Sequence, residues 1–187
     1  QNFVDVRVTV LGGEIEETAD NRGVTLAASQ AWSRPATANL TGNQVRQVMA
    51  GKKMQVSGVA QEDFLQLSMT GSPDDLETGM QLAHLLLTQP KLETVPFEQW
   101  RTGTVQGLRA AMRDPLGSLQ RTLTDAIYPE STPQARSITP EQIEAVSMRE
   151  AQRWLESLIS ESPIEVAIVG DIDREQAFEL ARTYLGS

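Results

Sequence analysis

Asn21-Arg22-Gly23-Val24-Thr25-Leu26-Ala27-Ala28-Ser29-Gln30-Ala31-Trp32 is the stretch on which the reading of this chain turns. Val24, Ala27, Ala28, Ala31 and Trp32 recur at three- and four-residue steps, the spacing of a buried helix face. Upstream, Phe3-Val4-Asp5-Val6-Arg7-Val8-Thr9-Val10 alternates apolar and polar with period two, as in a half-buried strand. Gly12-Gly13 interrupts that pattern, and an acidic loop from Glu14 to Asp20 crosses to the helix. Between Val24 and Trp32 there is no His, Cys, Asp or Glu, the residue types that hold zinc. Ser29 and Gln30 are poor substitutes.

Further along, Thr41 is placed to cap a short helix through Val45, Val48 and Met49 that Gly51 closes. Met54–Val59 and Phe64–Met69 read as two strands, joined in a hairpin by the four residues Ala60-Gln61-Glu62-Asp63. Ser72-Pro73-Asp74-Asp75 starts a helix with Leu76, Met80, Ala83 and Leu87 on one face, ending at Gln89-Pro90. A helix opening near Pro96 is expected to carry Phe97, Trp100, Thr104, Leu108 and Ala111 on its buried side. Pro115 begins another, carrying Leu116, Leu119, Leu123 and Ile127.

Tyr128 to Gln134 is the longest loop signal. Capping boxes at Thr139-Pro140-Glu141-Gln142 and Ser147-Met148-Arg149-Glu150 start a short and a longer helix. Ile164-Glu165-Val166-Ala167-Ile168-Val169-Gly170 is nearly continuous in apolar residues, which predicts a central strand. Asp173 caps a closing helix through Phe178 and Leu180 to Leu185. A hairpin followed by clustered helices points to an α+β fold, a mainly antiparallel sheet layered with helices.

The 187 residues suit one domain with a sizeable core. With 25 acidic and 16 basic residues the net charge is −9, so the basic footprint of a nucleic-acid binder is missing. No apolar run approaches the roughly 20 residues of a membrane span. The absence of cysteine removes disulfide scaffolds and thiolate metal sites. Gln1-Asn2-Phe3 lacks an initiator Met and signal-peptide features and leads almost directly into a strand, which reads as a piece of a longer chain.

The remaining chemical candidates are thin. His84 is the single histidine, and Glu77, seven residues upstream, shares its helix face. One imidazole and one carboxylate fall short of the three protein ligands of a catalytic zinc, so a structural role is expected. Ser29, Ser68, Ser72 and Ser118 lack a nucleophile elbow. Asp74-Asp75 fits helix capping better than an acid/base pair. Gly170-Asp171-Ile172-Asp173 lacks the lysine and further glycines of a phosphate loop, and its acids would repel phosphate. Trp32, Trp100 and Trp154 are spaced with apolar helix faces, so packing is the default role.

Taken in order, Gly12-Gly13, Asn21-Arg22-Gly23, the hairpin and helix from Val56 to Leu87, Asp114-Pro115, the cap at Thr139 and Val169–Asp173 resemble a domain of the insulinase/pitrilysin zinc metallopeptidases. The resemblance covers almost the whole chain and implies the LuxS/mitochondrial processing peptidase-like fold. Active members carry G-x-x-H-x-x-E-H on the first helix, two His binding zinc and the Glu acting as general base. Laid from Gly23, the His positions fall on Leu26 and Gln30, the Glu on Ser29, and a third ligand near Gln106-Gly107.

The resemblance therefore implies residues 1–187 as a single inactive peptidase-fold domain of a longer chain, with no catalytic, cofactor-binding or metal residues of its own. Zinc and hydrolysis would belong to a sibling domain. This domain would supply chamber wall, peptide contacts and surfaces toward sibling domains or a homologous subunit. The alternative is a catalytically dead module used only in protein–protein assembly. The compartment is not read from the residues, and the resemblance favours a periplasmic or secreted setting. Candidate interface residues are Leu92, Val95 and Phe97, with a core role favoured for Phe97, and Tyr128 and Ile138.

Overall fold

The computed structural model describes residues 2–186. It contains four strands, β1 (Val4–Leu11), β2 (Met54–Ala60), β3 (Phe64–Gly71) and β4 (Ile164–Gly170). The helices are α1 (Val24–Ala28), α2 (Gln30–Ser33), α3 (Gly42–Met49), α4 (Leu76–Thr88), α5 (Thr94–Arg113), α6 (Pro115–Ile127), α7 (Pro140–Ala145), α8 (Met148–Glu161) and α9 (Arg174–Leu185). The strands form one antiparallel sheet in the order β2-β3-β1-β4. This is the α+β layer architecture that the hairpin and helix pattern predicts.

The period of two in β1 decides which face is covered. Val4, Val6, Val8 and Val10 are buried and face the helices beside Met69, Leu67 and Leu65 of β3. Asp5, Arg7 and Thr9 point to the other face, beside Thr70, Ser68 and Gln66, and that side stays polar and half-exposed. α4 lays Leu76, Gly79, Met80, Ala83 and Leu86 over β2 and β3. α1 and α8 cover the other end, with Ala151 and Leu155 fully buried. Trp32 sits in this layer at 0% exposure, its indole N–H donating to the Leu86 carbonyl (3.0 Å).

Local capping works as the sequence predicts. Thr41 with Gln44, and Thr139 with Gln142, form complete capping boxes. Ser147 and Asp173 accept from the backbone of Glu150 and Gln176. The helix expected from Gly23 is interrupted at Ser29 into α1 and α2, and all five of its predicted apolar face residues are buried. Ser72 caps the turn Pro73–Asp75, but Asp75 does a different job. Its carboxylate accepts from the Lys53 N–H (2.8 Å) and pairs with the Lys52 ammonium (3.1 Å), fixing the entry to β2.

Two expectations are corrected. Among the described residues β4 is an edge strand, hydrogen-bonded to β1 alone, and most of its apolar side chains are exposed. β1 takes the central place because it pairs on both sides, a non-local fact that the apolar run of β4 does not encode. On α6, Leu116, Leu119, Leu123 and Ile127 stand at helical spacing but are all more than half exposed. α6 packs mainly along α5, at the periphery, with its apolar face left largely uncovered among the described residues.

A close approach at Gly58 of β2 ties the sheet to Trp32. A Cβ built there would lie 2.3 Å from the Trp32 Cβ. Gly58→Ala should therefore cost about 2 kcal/mol through overpacking, read as a lower denaturation midpoint with an unchanged m value. At Asp75, the Lys53 amide and then the Lys52 ammonium hold the carboxyl below its ordinary value. Its contribution is present above the usual carboxylate range and is lost as pH falls through the lowered folded-state value. The melting temperature of Asp75→Asn should thus fall short of the parent protein at pH 7, with the gap closing below about pH 4.

Candidate functional site

The entry to α1 is built around one buried carboxylate. Glu17 has no exposed side-chain surface. Its Oε1 accepts from the Thr25 N–H (2.8 Å), and its Oε2 accepts from the Gly23 N–H (2.9 Å) and the Arg22 guanidinium. A negative group at this helix end is favoured because the first turn leaves N–H groups without intrahelical partners. Arg22 also reaches Glu14 (2.9 Å) and the Arg136 carbonyl (3.4 Å). Burial pushes the Arg22 guanidinium down, but the hydrogen bonds from Glu17 and Glu14 outweigh it and hold the group above its ordinary value.

Gly23 turns into α1 at φ 93, a left-handed conformation that favours glycine. A Cβ there would meet the Ile138 and Ile143 side chains at 2.7 and 2.9 Å. Ile138 is thus half-buried against the helix entry. From the other side, the Trp154 indole of α8 donates to the Thr25 hydroxyl (3.0 Å).

Of the three positions that the resemblance lays on the metal site, two turn their side chains back on the helix. The Ser29 hydroxyl donates to the Leu26 carbonyl (2.8 Å), and the Gln30 amide donates to the same oxygen (3.5 Å). Leu26 is half-buried. Gln106 and Gly107 are exposed on α5, and a Cβ at Gly107 would meet nothing within 4 Å. Gln106 lines an open groove of about 490 Å³ with Val95, Glu98 and Thr102. Among the described residues no group of three or more His, Cys, Asp or Glu is placed to hold a metal ion.

His84 and Glu77 meet through a third residue. The His84 Nδ1–H donates to the Tyr184 carbonyl (2.8 Å), and the Tyr184 hydroxyl donates to Glu77 (2.7 Å). Together they bind α9 to α4. Asp171 accepts from the Asn2 amide (3.0 Å) and Asp173 caps α9, so the acids after β4 are used in the fold. Trp100 and Trp154 are half-buried.

Of the interface candidates, Leu92 and Phe97 are buried within the domain, while Val95 (66%) and Tyr128 (44%) are exposed. The larger apolar surface is α6, with Leu116 and Ile127 each 71% exposed. Its amphipathic spacing was visible in the sequence, but its lack of cover was not. Below α6, a cleft of about 270 Å³ is lined by Arg121, Asp125, Glu130 and Arg136. There Arg121 donates to the Ile138 and Ser137 carbonyls (2.8 and 3.3 Å) and Asp125 accepts from the Ser137 amide (3.0 Å), pinning the loop to α6.

No family model matches the chain, and no curated protein matches it. Among solved structures, the chain superposes in full on the periplasmic protease PqqL from Escherichia coli, at TM-score 0.84 and 17% identity, over 21% of that chain. It matches a protease from Helicobacter pylori at 0.82 and 16%, covering all of this chain and 45% of that one. A peptidase M16 inactive domain from Pseudomonas fluorescens gives 0.83 and 16%, over 99% and 45%. The fold is that of M16 peptidase domains, as the sequence resemblance implies, and the chain spans between a fifth and a half of these relatives.

The Glu17 site gives a direct test of what holds α1 in place. Glu17→Gln keeps the shape but removes the charge opposite Arg22 and turns a donor toward backbone N–H groups. It should lower unfolding free energy by about 3 kcal/mol, while Glu14→Gln, on the exposed side of Arg22, should cost clearly less. Urea denaturation followed by circular dichroism compares the two.

Proposed function

We propose that this chain is a non-catalytic domain of an insulinase/pitrilysin-type zinc peptidase, supplying chamber wall, peptide contacts and inter-domain surface. The reading is supported by this fold together with Leu26, Ser29 and Gln30 at the positions that the sequence resemblance lays on the ligands and base of catalytic domains. Zinc and the activated water belong, on this reading, to a sibling domain of the same chain or a homologous subunit. The match to part of much longer proteases, one of them described as periplasmic, supports a multidomain parent and a periplasmic or secreted setting. The uncovered apolar face of α6 supports packing against another domain, because exposed apolar area of this kind marks interfaces.

Protein purified without an affinity tag should hold no stoichiometric zinc by elemental analysis and should not cleave a fluorogenic peptide. Stoichiometric zinc that is lost with His84→Ala would overturn the reading. Added in trans, a catalytic domain from the parent protein should bind measurably by calorimetry, weakly because tethering is lost. Leu119→Asp with Leu123→Asp should reduce that binding by at least about tenfold. Association that peptide substrate neither needs nor alters favours the assembly-only module instead.

A further inference from the structure

We propose that the cleft beneath α6 binds a small zwitterion, a free amino acid or a dipeptide, through one carboxylate and one ammonium group. Two walls form the cleft. α6 supplies Arg121 and Asp125, and the segment leading to α7 supplies Glu130, Arg136 and Ser137. That segment is folded by its own short-range bonds. The Thr132 N–H and hydroxyl donate to the Pro129 carbonyl (3.0 and 2.9 Å), and the Arg136 N–H donates to the Pro133 carbonyl (3.2 Å). Arg121 and Asp125 then pin Ser137 to the helix, so the protein alone shapes the cleft, which favours binding.

Charge decides what fits. Asp125 lies between two guanidiniums, 3.9 Å from Arg121 and 4.0 Å from Arg136, too far for a hydrogen bond to either. Arg121 directs its N–H groups at the Ile138 and Ser137 carbonyls. The Arg136 guanidinium has only the distant pairing with Asp125 and makes no hydrogen bond among the described residues. Its planar fork is therefore open to a carboxylate. Glu130 is exposed and has neither hydrogen bond nor ion pair among the described residues, so it can take an ammonium group.

Two cations and two anions thus line the cleft. Phosphate would meet Asp125 and Glu130 as well as the arginines, and a metal ion would meet the guanidiniums. A zwitterion matches both signs. The volume of about 270 Å³ falls below the roughly 300–1,000 Å³ of pockets that take drug-sized ligands, so the occupant is small. The cleft is also tied to the entry of α1, because the Arg136 carbonyl accepts from Arg22, whose guanidinium holds Glu17. A ligand joining Arg136 to Glu130 clamps this segment and stabilises the folded state. The cleft shares no residue with the positions laid on the metal site, so a negative result here leaves the peptidase-domain reading standing.

Nuclear magnetic resonance titration of the isotope-labelled chain tests this, with glycine and glycylglycine as probes and glycinamide, N-acetylglycine and inorganic phosphate as controls. Millimolar zwitterion should shift the amide signals of Arg136, Ser137 and Gln142 and raise the melting temperature. Glycinamide, lacking the carboxylate, and N-acetylglycine, lacking the ammonium, should each bind about tenfold more weakly. Arg136→Gln keeps the carbonyl that Arg22 uses and should weaken zwitterion binding by about tenfold. Glu130→Gln should weaken binding of glycylglycine and leave that of N-acetylglycine unchanged, a split that a merely structural role would not produce. Tighter binding of glycine assigns a free amino acid, and tighter binding of glycylglycine a dipeptide. Phosphate binding as tightly as either zwitterion overturns the assignment. So does the absence of any shift at millimolar concentration, or binding that Arg136→Gln leaves unchanged. Should Arg136→Gln not fold, the two blocked ligands and Glu130→Gln still decide it.

Discussion

A carboxylate removed from water at Glu17 is the constraint on which this half of the molecule depends. Leaving such a charge unpaired in the interior would cost several kcal/mol. Here two backbone N–H groups at the start of α1 and the Arg22 guanidinium occupy it. Those partners are spread over the acidic loop and the helix, and Arg22 carries the link on to the Arg136 carbonyl. The loop after β1, the start of α1 and the segment leading to α7 are therefore held as one unit. The position of α1 against α8 follows, and with it the burial of Trp32 on the sheet.

That arrangement fixes the entry to α1 with groups of this chain alone. Nothing in the Glu17 network requires an ion at Leu26, Ser29 or Gln30. The side chains at the latter two bond to the helix's own Leu26 carbonyl, a local partner that needs no second shell. The groups that fix the helix lie at its entry, so the side chains of Leu26, Ser29 and Gln30 take no part in holding it there.

Local signals were legible in the sequence. The period of two in β1, the hairpin from Met54 to Gly71 and the caps at Thr41, Thr139 and Asp173 each depend on residues a few positions apart, and each is observed. The absence of zinc-ligand types between Val24 and Trp32 was equally direct. What stayed hidden depends on partners far along the chain. Glu17 read as one acid of an acidic loop because its partners are defined only once Gly23 turns the chain back. Asp75 read as a helix-start charge, while its amide partner belongs to Lys53, 22 residues upstream. The apolar run of β4 and the leucines of α6 were taken as signs of burial. Hydrophobicity reports that a face is apolar, and it does not say whether this chain supplies the cover.

The two uncovered regions are chemically different. On α6 the main chain is satisfied within the helix, so only the side chains of Leu116, Leu119, Leu123 and Ile127 are on offer. Recognition there rests on shape and apolar area, and it demands a folded, complementary surface such as another domain. On β4 the apolar side chains stand on a strand that pairs with β1 alone among the described residues, so backbone groups are uncovered there as well. The two surfaces lie on elements with different neighbours, α6 along α5 and β4 beside β1.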